Sequence, residues 1–392
     1  MFIYLFVFAL SLLLIYYSEK FNPKTQIHIL LVFTALVMPT LLAGLRSNSI
    51  GTDTKSYLVP IFENALTADS FVQFQSNQFL YNWSYATISE YEIGFTSLVY
   101  IIAKLSGNLY VLQTIIAGFI IWAVYTAINK WKQTIPVWFG MAIFYFMFFN
   151  VTMNMMRQWI AMSILLLGTR YIFERKKKYF LYVLAACLFH ASAVMGLGFY
   201  VLHYFINDHK EHREKKSRKH YVLRVHQWKI RLTNLGVLLA FLVAAIAIFF
   251  ADTVPTPILS FLGLSRYQFY LSGTLNFMPN QVIIRIPILI LLVLGGKILK
   301  QKIEGANFFE TMILLDLVLS QLSGLTSYSS RIALYFQMFM VFSIPALCGC
   351  TRVISQKLMR SMMMVYLLVY WVYYFAVMGS QATVPYIPFW MS

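Results

Sequence analysis

The stretch FFNVTMNMMRQWIAMSILLL, Phe148–Leu167, is apolar enough to lie in a membrane, yet it carries Asn150, Asn154, Arg157 and Gln158. Steps of four and three residues through Asn150, Asn154, Arg157 and Ala161 share one face of a helix, so the spacing predicts a polar stripe. A charge at bilayer depth is costly and faces a cavity or a partner. The surrounding chain explains the setting. Its 392 residues are 60% hydrophobic and 11% charged, with 34 Phe and 26 Tyr. Apolar segments of about 20 residues, each long enough to cross a bilayer, recur along it.

The expected fold is therefore all-α: one transmembrane domain over 1–392, a polytopic integral membrane protein of about 10 full spans. Spans are placed near 1–17, 27–45, 109–129, 136–156, 158–173, 232–250, 281–299, 307–323, 331–350 and 361–378. The first has no basic leader region and no small-residue cleavage site, so it reads as a span and not as a signal peptide. Cys187, Cys348 and Cys350 form no pattern that implies a disulfide framework.

The net charge of +17 is distributed as a topology signal. Short runs between spans (Lys20/Lys24, Lys130/Lys132, Arg170 with Arg175–Lys178, Lys210–Arg231, Lys297–Lys302, Arg352–Arg360) hold 24 of the 31 Lys and Arg residues. They mark the cytoplasmic side and lipid contact, not nucleic acid. The loops 46–92 and 251–280 are then expected outside, with 207–231 cytoplasmic and its four histidines solvated. Parity fails at two places, near 93–107 and 179–206, so short re-entrant helices are expected there, the second turning near Phe189–Ser192. Non-helical backbone at that depth implies a cavity.

Seven basic residues remain: Arg46, Lys55, Lys104, Arg157, Arg266, Arg285 and Arg331. Five are arginines at outer span ends or in outer loops, against the charge bias, and the guanidinium fork suits phosphate. Helix-end snorkelling or ion pairing is the alternative for each, and Asp316 is a ready partner for one of them. Glu90 and Glu92 form an E-x-E that, if extended, turns both carboxylates to one side. His190, away from the cytoplasmic clusters, reads either as a turn-capping histidine or as a general base.

Five pieces carry a resemblance: LRSNSIGTDTKSY (Leu45–Tyr57), YEIGF (Tyr91–Phe95), NMMRQWIA (Asn154–Ala161), FHASA (Phe189–Ala193) and SSRIALYF (Ser329–Phe336). In order and spacing they resemble the EpsG branch of the Wzy-type exopolysaccharide repeat-unit polymerases, which implies a polytopic membrane glycosyltransferase architecture. The resemblance implies transfer of a growing glycan from polyprenyl pyrophosphate to the terminal sugar of a second lipid-linked repeat unit. The reaction would take place at the outer face of the bacterial cytoplasmic membrane. Asp53, Glu92 and His190 would be the catalytic candidates. Arg46, Tyr57, Arg157, Gln158 and Arg331 from the family pattern, with Asn154 from the stripe and Arg266 and Arg285 from the outer arginines, would contact pyrophosphate and sugar. No metal or other cofactor is expected, since the arginines can neutralise the leaving group. The partners implied are polyprenyl-pyrophosphate-linked oligosaccharides, membrane lipids, and flippase and chain-length-regulator proteins. A lipid-linked oligosaccharide flippase and a membrane O-acyltransferase are the alternatives.

Overall fold

The computed structural model describes residues 1–81, 83–216, 278–303, 305–321, 327–351 and 354–391. FIYLFVFALSLLLIYYS contains no Gly or Pro and forms α1 (Phe2–Ser18). The chain reverses, and Thr25 caps α2 (Gln26–Gly44) by accepting from the His28 amide at 3.3 Å. The His28 ring closes the reversal by donating to the Ser18 carbonyl at 2.9 Å. A wide π-turn, Thr54–Leu58, runs into α3 (Val59–Thr67), followed by α4 (Phe71–Ser76). A small hairpin comes next: β1 (Gln78–Tyr81) pairs antiparallel with β2 (Ser84–Thr87), with Phe79 opposite Ala86. Then follow α5 (Ile93–Ser106), α6 (Leu109–Asn129), α7 (Val137–Met147), the single turn α8 (Phe149–Thr152), α9 (Met156–Phe173), α10 (Tyr179–Cys187) and α11 (Met195–Lys216). The remaining helices are α12 (Pro279–Lys302), α13 (Ala306–Gln321), α14 (Ser327–Gln337), α15 (Met340–Cys348) and α16 (Gln356–Trp371).

The helices divide into two compact units, 1–198 with 344–392, and 199–343. In the first, α1 packs on α2 and α7, α2 on α6, and α6 and α10 on α9. Gly44 permits the α2–α6 approach, because a Cβ there would lie 2.1 Å from the Thr114 hydroxyl. Phe8 stacks on Tyr145 at 5.2 Å within a buried cluster that includes Tyr4, Phe149 and Trp371. In the second unit, Phe199, Phe308 and Phe339 pack edge to face.

Unit one has two distinct ends. At one, the Glu19 carboxylate accepts from the Trp138 amide at 2.6 Å, and Lys130 donates to the Leu167 carbonyl at 2.9 Å. The basic loops after α1, α6 and α9 therefore lie together. Helix α9 leads away from them for 18 residues, about 27 Å at 1.5 Å per residue. Arg157 stands at its far end.

Several expectations need correction. Four described helices are long and apolar enough to cross a membrane: Gln26–Gly44, Leu109–Asn129, Pro279–Lys302 and Gln356–Val377, the last being α16 with its π-turn extension. A fifth is added if the 46° bent pair Ser330–Gln337 and Met340–Cys348 is one span. The described residues also hold the shorter apolar helices Phe2–Ser18, Ile93–Ser106, Val137–Met147 and Ala191–Ile206, and they do not confirm a count of about ten. Residues 232–250 and the 251–280 loop up to 277 lie outside the described residues, as does the 207–231 loop beyond α11. The segment 136–156 is not one helix, because α7 ends at Met147 and the chain breaks again at 153–155. The β1–β2 hairpin departs from all-α. Near 93–107 there is no internal reversal: IGFTSLVYIIAKLS has no breaker, so α5 runs unbroken until Gly107 caps it at φ 62°. At 179–206, α10 ends after nine residues and the chain turns through Leu188–His190 into a short 3-10 turn before α11.

Candidate active site

The predicted stripe does not lie on one helix. In an unbroken helix the Met153 carbonyl would accept from the Arg157 amide; here it accepts from Arg46 Nη2 at 3.0 Å. Asn154 Oδ1 accepts from the Asp53 amide at 2.8 Å and the Thr52 hydroxyl at 3.1 Å, while Nδ2 donates to Gln381 at 2.7 Å. Asn150 donates to the Thr383 hydroxyl at 2.8 Å and accepts from the Trp371 indole at 2.7 Å. The two asparagines thus fasten the break to the 51–54 loop and to a C-terminal strap, residues 380–391. Backbone bonds complete that strap: Ser47 to Ile387 at 2.8 Å, Gly51 to Ala382 at 3.2 Å and Phe389 to Leu45 at 3.0 Å.

Arg46 is 1% exposed and donates to Ala43, Thr54, Met153 and the Met156 sulfur. Those bonds join protein to protein, and its Nε, like that of Arg157, is buried without a hydrogen-bond partner. Arg157 is placed differently. Its Nη1 donates to Glu92 Oε2 at 2.5 Å, and its guanidinium lies 4.5 Å from the Tyr91 ring centroid, 4.9 Å from Tyr57 and 5.8 Å from Phe95. Such faces attract a cation and fix its plane. Its Nε is buried without a hydrogen-bond partner. Arg157 therefore does pair with a carboxylate, the bland alternative from sequence, but inside an aromatic cage.

Glu92 is the hub. Its Oε1 accepts from His190 Nδ1 at 3.0 Å and from the Ala191 amide at 3.0 Å. The three side chains are 20%, 17% and 12% exposed for Arg157, Glu92 and His190. Burial alone would raise the Glu92 pKa, but the His190 hydrogen bond, the Arg157 and His190 charges and the Ala191 amide together lower it from 4.5 to about 2. Ionised Glu92 can only accept, so Nδ1 of His190 carries the proton, and in the neutral imidazole Nε2 keeps its lone pair. Gly94 makes the contact possible. Its amide donates to the Leu188 carbonyl at 2.8 Å, and a Cβ there would lie 2.6 Å from that oxygen.

The other candidates fall elsewhere. Asp53 is held through its backbone, with its side chain half-buried. Gln158 is 3% exposed on α9. Glu90 sits in a 3-10 turn, not in extended chain, where it closes a capping box with Thr87. It therefore shares no face with Glu92, and the E-x-E reading fails. Arg285 belongs to the second unit, where it makes a two-pronged pair with Asp316 at 2.7 and 3.0 Å. Arg331 lies on α14 of that unit, and Arg266 lies outside the described residues. Among the described residues, no three His, Cys, Asp or Glu side chains gather as a metal site.

Sequence reasoning missed Tyr91 and Phe95 as cage walls, although both flank Glu92 in YEIGF. It also missed the strap. Its only signals were Gly379, Pro385 and Pro388 closing an otherwise apolar tail.

No curated protein and no solved structure matches the chain. The EpsG family does, over residues 28–388, nearly the whole chain and all five motif segments. The protein therefore belongs to the EpsG family.

Proposed function

We propose that the protein is a polysaccharide polymerase that moves a growing glycan from polyprenyl pyrophosphate to the terminal sugar of a second lipid-linked repeat unit, at the outer face of the bacterial cytoplasmic membrane. Membership of the EpsG family supports a polymerase role. The observation that carries the chemistry is the Glu92 carboxylate bridging His190 and the caged Arg157. An acceptor hydroxyl gives its proton to His190 Nε2 as its oxygen bonds to the anomeric carbon. The bond from that carbon to the pyrophosphate oxygen breaks, and the electron pair leaves with the pyrophosphate. Arg157 faces the negative charge that develops there, held in plane by Tyr57 and Tyr91. Glu92, held ionised, is a poor base itself; it fixes the imidazole tautomer and steadies the imidazolium that forms. Asp53 is then assigned to the loop and not to proton transfer.

An outward-facing site is supported by Arg157 lying at the end of α9 remote from the basic loops. A flippase needs a basic cavity but not a carboxylate-oriented imidazole.

The deciding experiment is the lipid-linked glycan profile of a deletion strain, with complementation by wild type or His190→Ala. Single repeat units should accumulate at the outer leaflet, and the variant should fail to restore polymer. Repeat units trapped inside the cell would overturn the reading in favour of a flippase.

A further inference from the structure

A cavity of about 560 Å³ lies on the other side of the loop that carries Tyr57. It is lined by Ser47, Asn48, Ser49 and Lys55, and by the apolar Val59, Pro60, Ile387 and Met391. The π-turn Thr54–Leu58 divides the two places: Tyr57 is buried under Arg157, while Lys55 is exposed in the cavity.

The polar lining consists of donors. Arg46, Lys104, Arg157 and Arg285 all donate to protein acceptors, whereas Lys55 makes no hydrogen bond or ion pair among the described residues. Asn48 Oδ1 is occupied by the Gln113 amide at 3.4 Å, which leaves the Asn48 N–H groups free to turn to a ligand. Ser47 and Ser49 are linked through their hydroxyls at 2.8 Å, which sets the turn between them. A cation, an amide and a hydroxyl beside an apolar wall match a ligand rich in acceptors, negatively charged, and with apolar ring faces. The depression is open to the surface, so a headgroup can lie in it while its lipid tail stays outside.

We infer that this cavity is a binding subsite for an anionic sugar headgroup, a phosphorylated or carboxylated sugar, with Lys55 and Asn48 as its polar contacts. The inference rests on the polymerase reading for the ligand's origin: the reaction needs a second lipid-linked sugar close to the first. The C-terminal strap supplies one wall of the subsite through Ile387 and Met391.

Lysine footprinting tests this without turnover. The full chain in phosphatidylcholine nanodiscs is acylated briefly with and without glucose 1-phosphate, and labelling at Lys55 is compared with that at Lys20 and Lys24 by mass spectrometry. At a ligand concentration ten times Kd, Lys55 labelling should fall about tenfold. Potassium chloride of equal ionic strength should not reproduce the fall. Asn48→Leu should weaken the protection, and Arg157→Lys should leave it in place. Equal labelling with and without the sugar phosphate would overturn the inference. So would protection produced only by phosphatidylglycerol in the disc, which would mark a phospholipid headgroup site. If Lys55 is protected while the deletion strain traps units inside, the subsite stands and the polymerase reading falls.

Discussion

Two arginine–carboxylate pairs can be compared directly. In the second unit, Arg285 gives Asp316 both prongs, at 2.7 and 3.0 Å, and donates again to the Gln281 carbonyl and amide oxygens, and Asp316 is 0% exposed. In the first unit, Arg157 gives Glu92 one Nη, and Glu92 divides its other oxygen between an imidazole and a backbone amide. The Arg157 guanidinium is oriented by aromatic rings and not by a second carboxylate prong, and its Nε stays unpartnered. A pair that is two-pronged and closed to solvent joins helices; one held by a single prong, partly open to solvent and sharing its carboxylate with a histidine, can act on something else. Charge alone does not separate the two. The division of hydrogen bonds does.

The largest effect should come from breaking the coupled pair at its reactive end. His190→Ala removes a general base and should lower polymer turnover about 10²- to 10⁴-fold with folding intact, measured in nanodiscs beside thermal stability. The mirror experiment is Asp316→Asn. It strands a buried guanidinium, so stability should fall by about 3–5 kcal/mol while turnover per folded molecule stays near wild type. If Asp316→Asn abolished turnover at full stability, the contrast between the pairs would be gone.

Arg157→Lys comes next. It keeps the charge but loses the planar fork and much of the stacking on Tyr57 and Tyr91. A lost charge-assisted hydrogen bond of about 1.5–3 kcal/mol corresponds to roughly a 10- to 150-fold rate loss. A folded lysine variant with near-wild-type turnover would reduce Arg157 to the status of Arg285.

Gly94→Ala touches neither partner, yet it puts a methyl 2.6 Å from the Leu188 carbonyl oxygen. The α5 start and the His190 turn must separate, and turnover should fall about 10-fold through a misplaced Glu92. Unchanged kinetics would mean that the Glu92–His190 distance tolerates such movement.

A further effect, on stability and not on turnover, is read from pH. The Glu92 pKa is lowered from 4.5 to about 2 in the folded chain, so its contribution is fully present above about pH 4.5 and is lost as pH falls towards 2. The contribution is on the order of 3 kcal/mol. Wild type should therefore lose thermal stability relative to Glu92→Gln between pH 5 and pH 3, and parallel curves would show that the hub is not strained by protonation.

Much of the site was legible residue by residue. Arg157 stood out as a charge in an apolar run, His190 as a histidine away from the basic loops, and Glu92 by its place in YEIGF. Their meeting was not legible, because it depends on α10 stopping after nine residues and on α5 docking by a glycine. The stripe argument singled out Arg157 by a spacing the backbone does not follow. Helical spacing assumes an unbroken ladder, and the ladder at Met153 is interrupted by Arg46, a residue 107 positions away in sequence. Span boundaries show the same dependence. Hydropathy counts apolar residues and does not register that α7 ends at Met147, or that the Leu188 carbonyl just after α10 is taken by the Gly94 amide.

The strap has a consequence for the order of assembly. Tyr4 donates to the Thr383 carbonyl across 379 positions, and the strap closes backbone bonds with Ser47 and Gly51. During synthesis the 45–54 segment is made early, but its fastening comes hundreds of residues later and must thread back to meet it. A chain stalled before residue 380 already contains Arg157, Glu92 and His190, but Asn150 and Asn154 lack the groups that hold the break in shape. Competence arrives only when distant parts of the chain have joined, so a half-made copy holds the reactive residues without the means to align them.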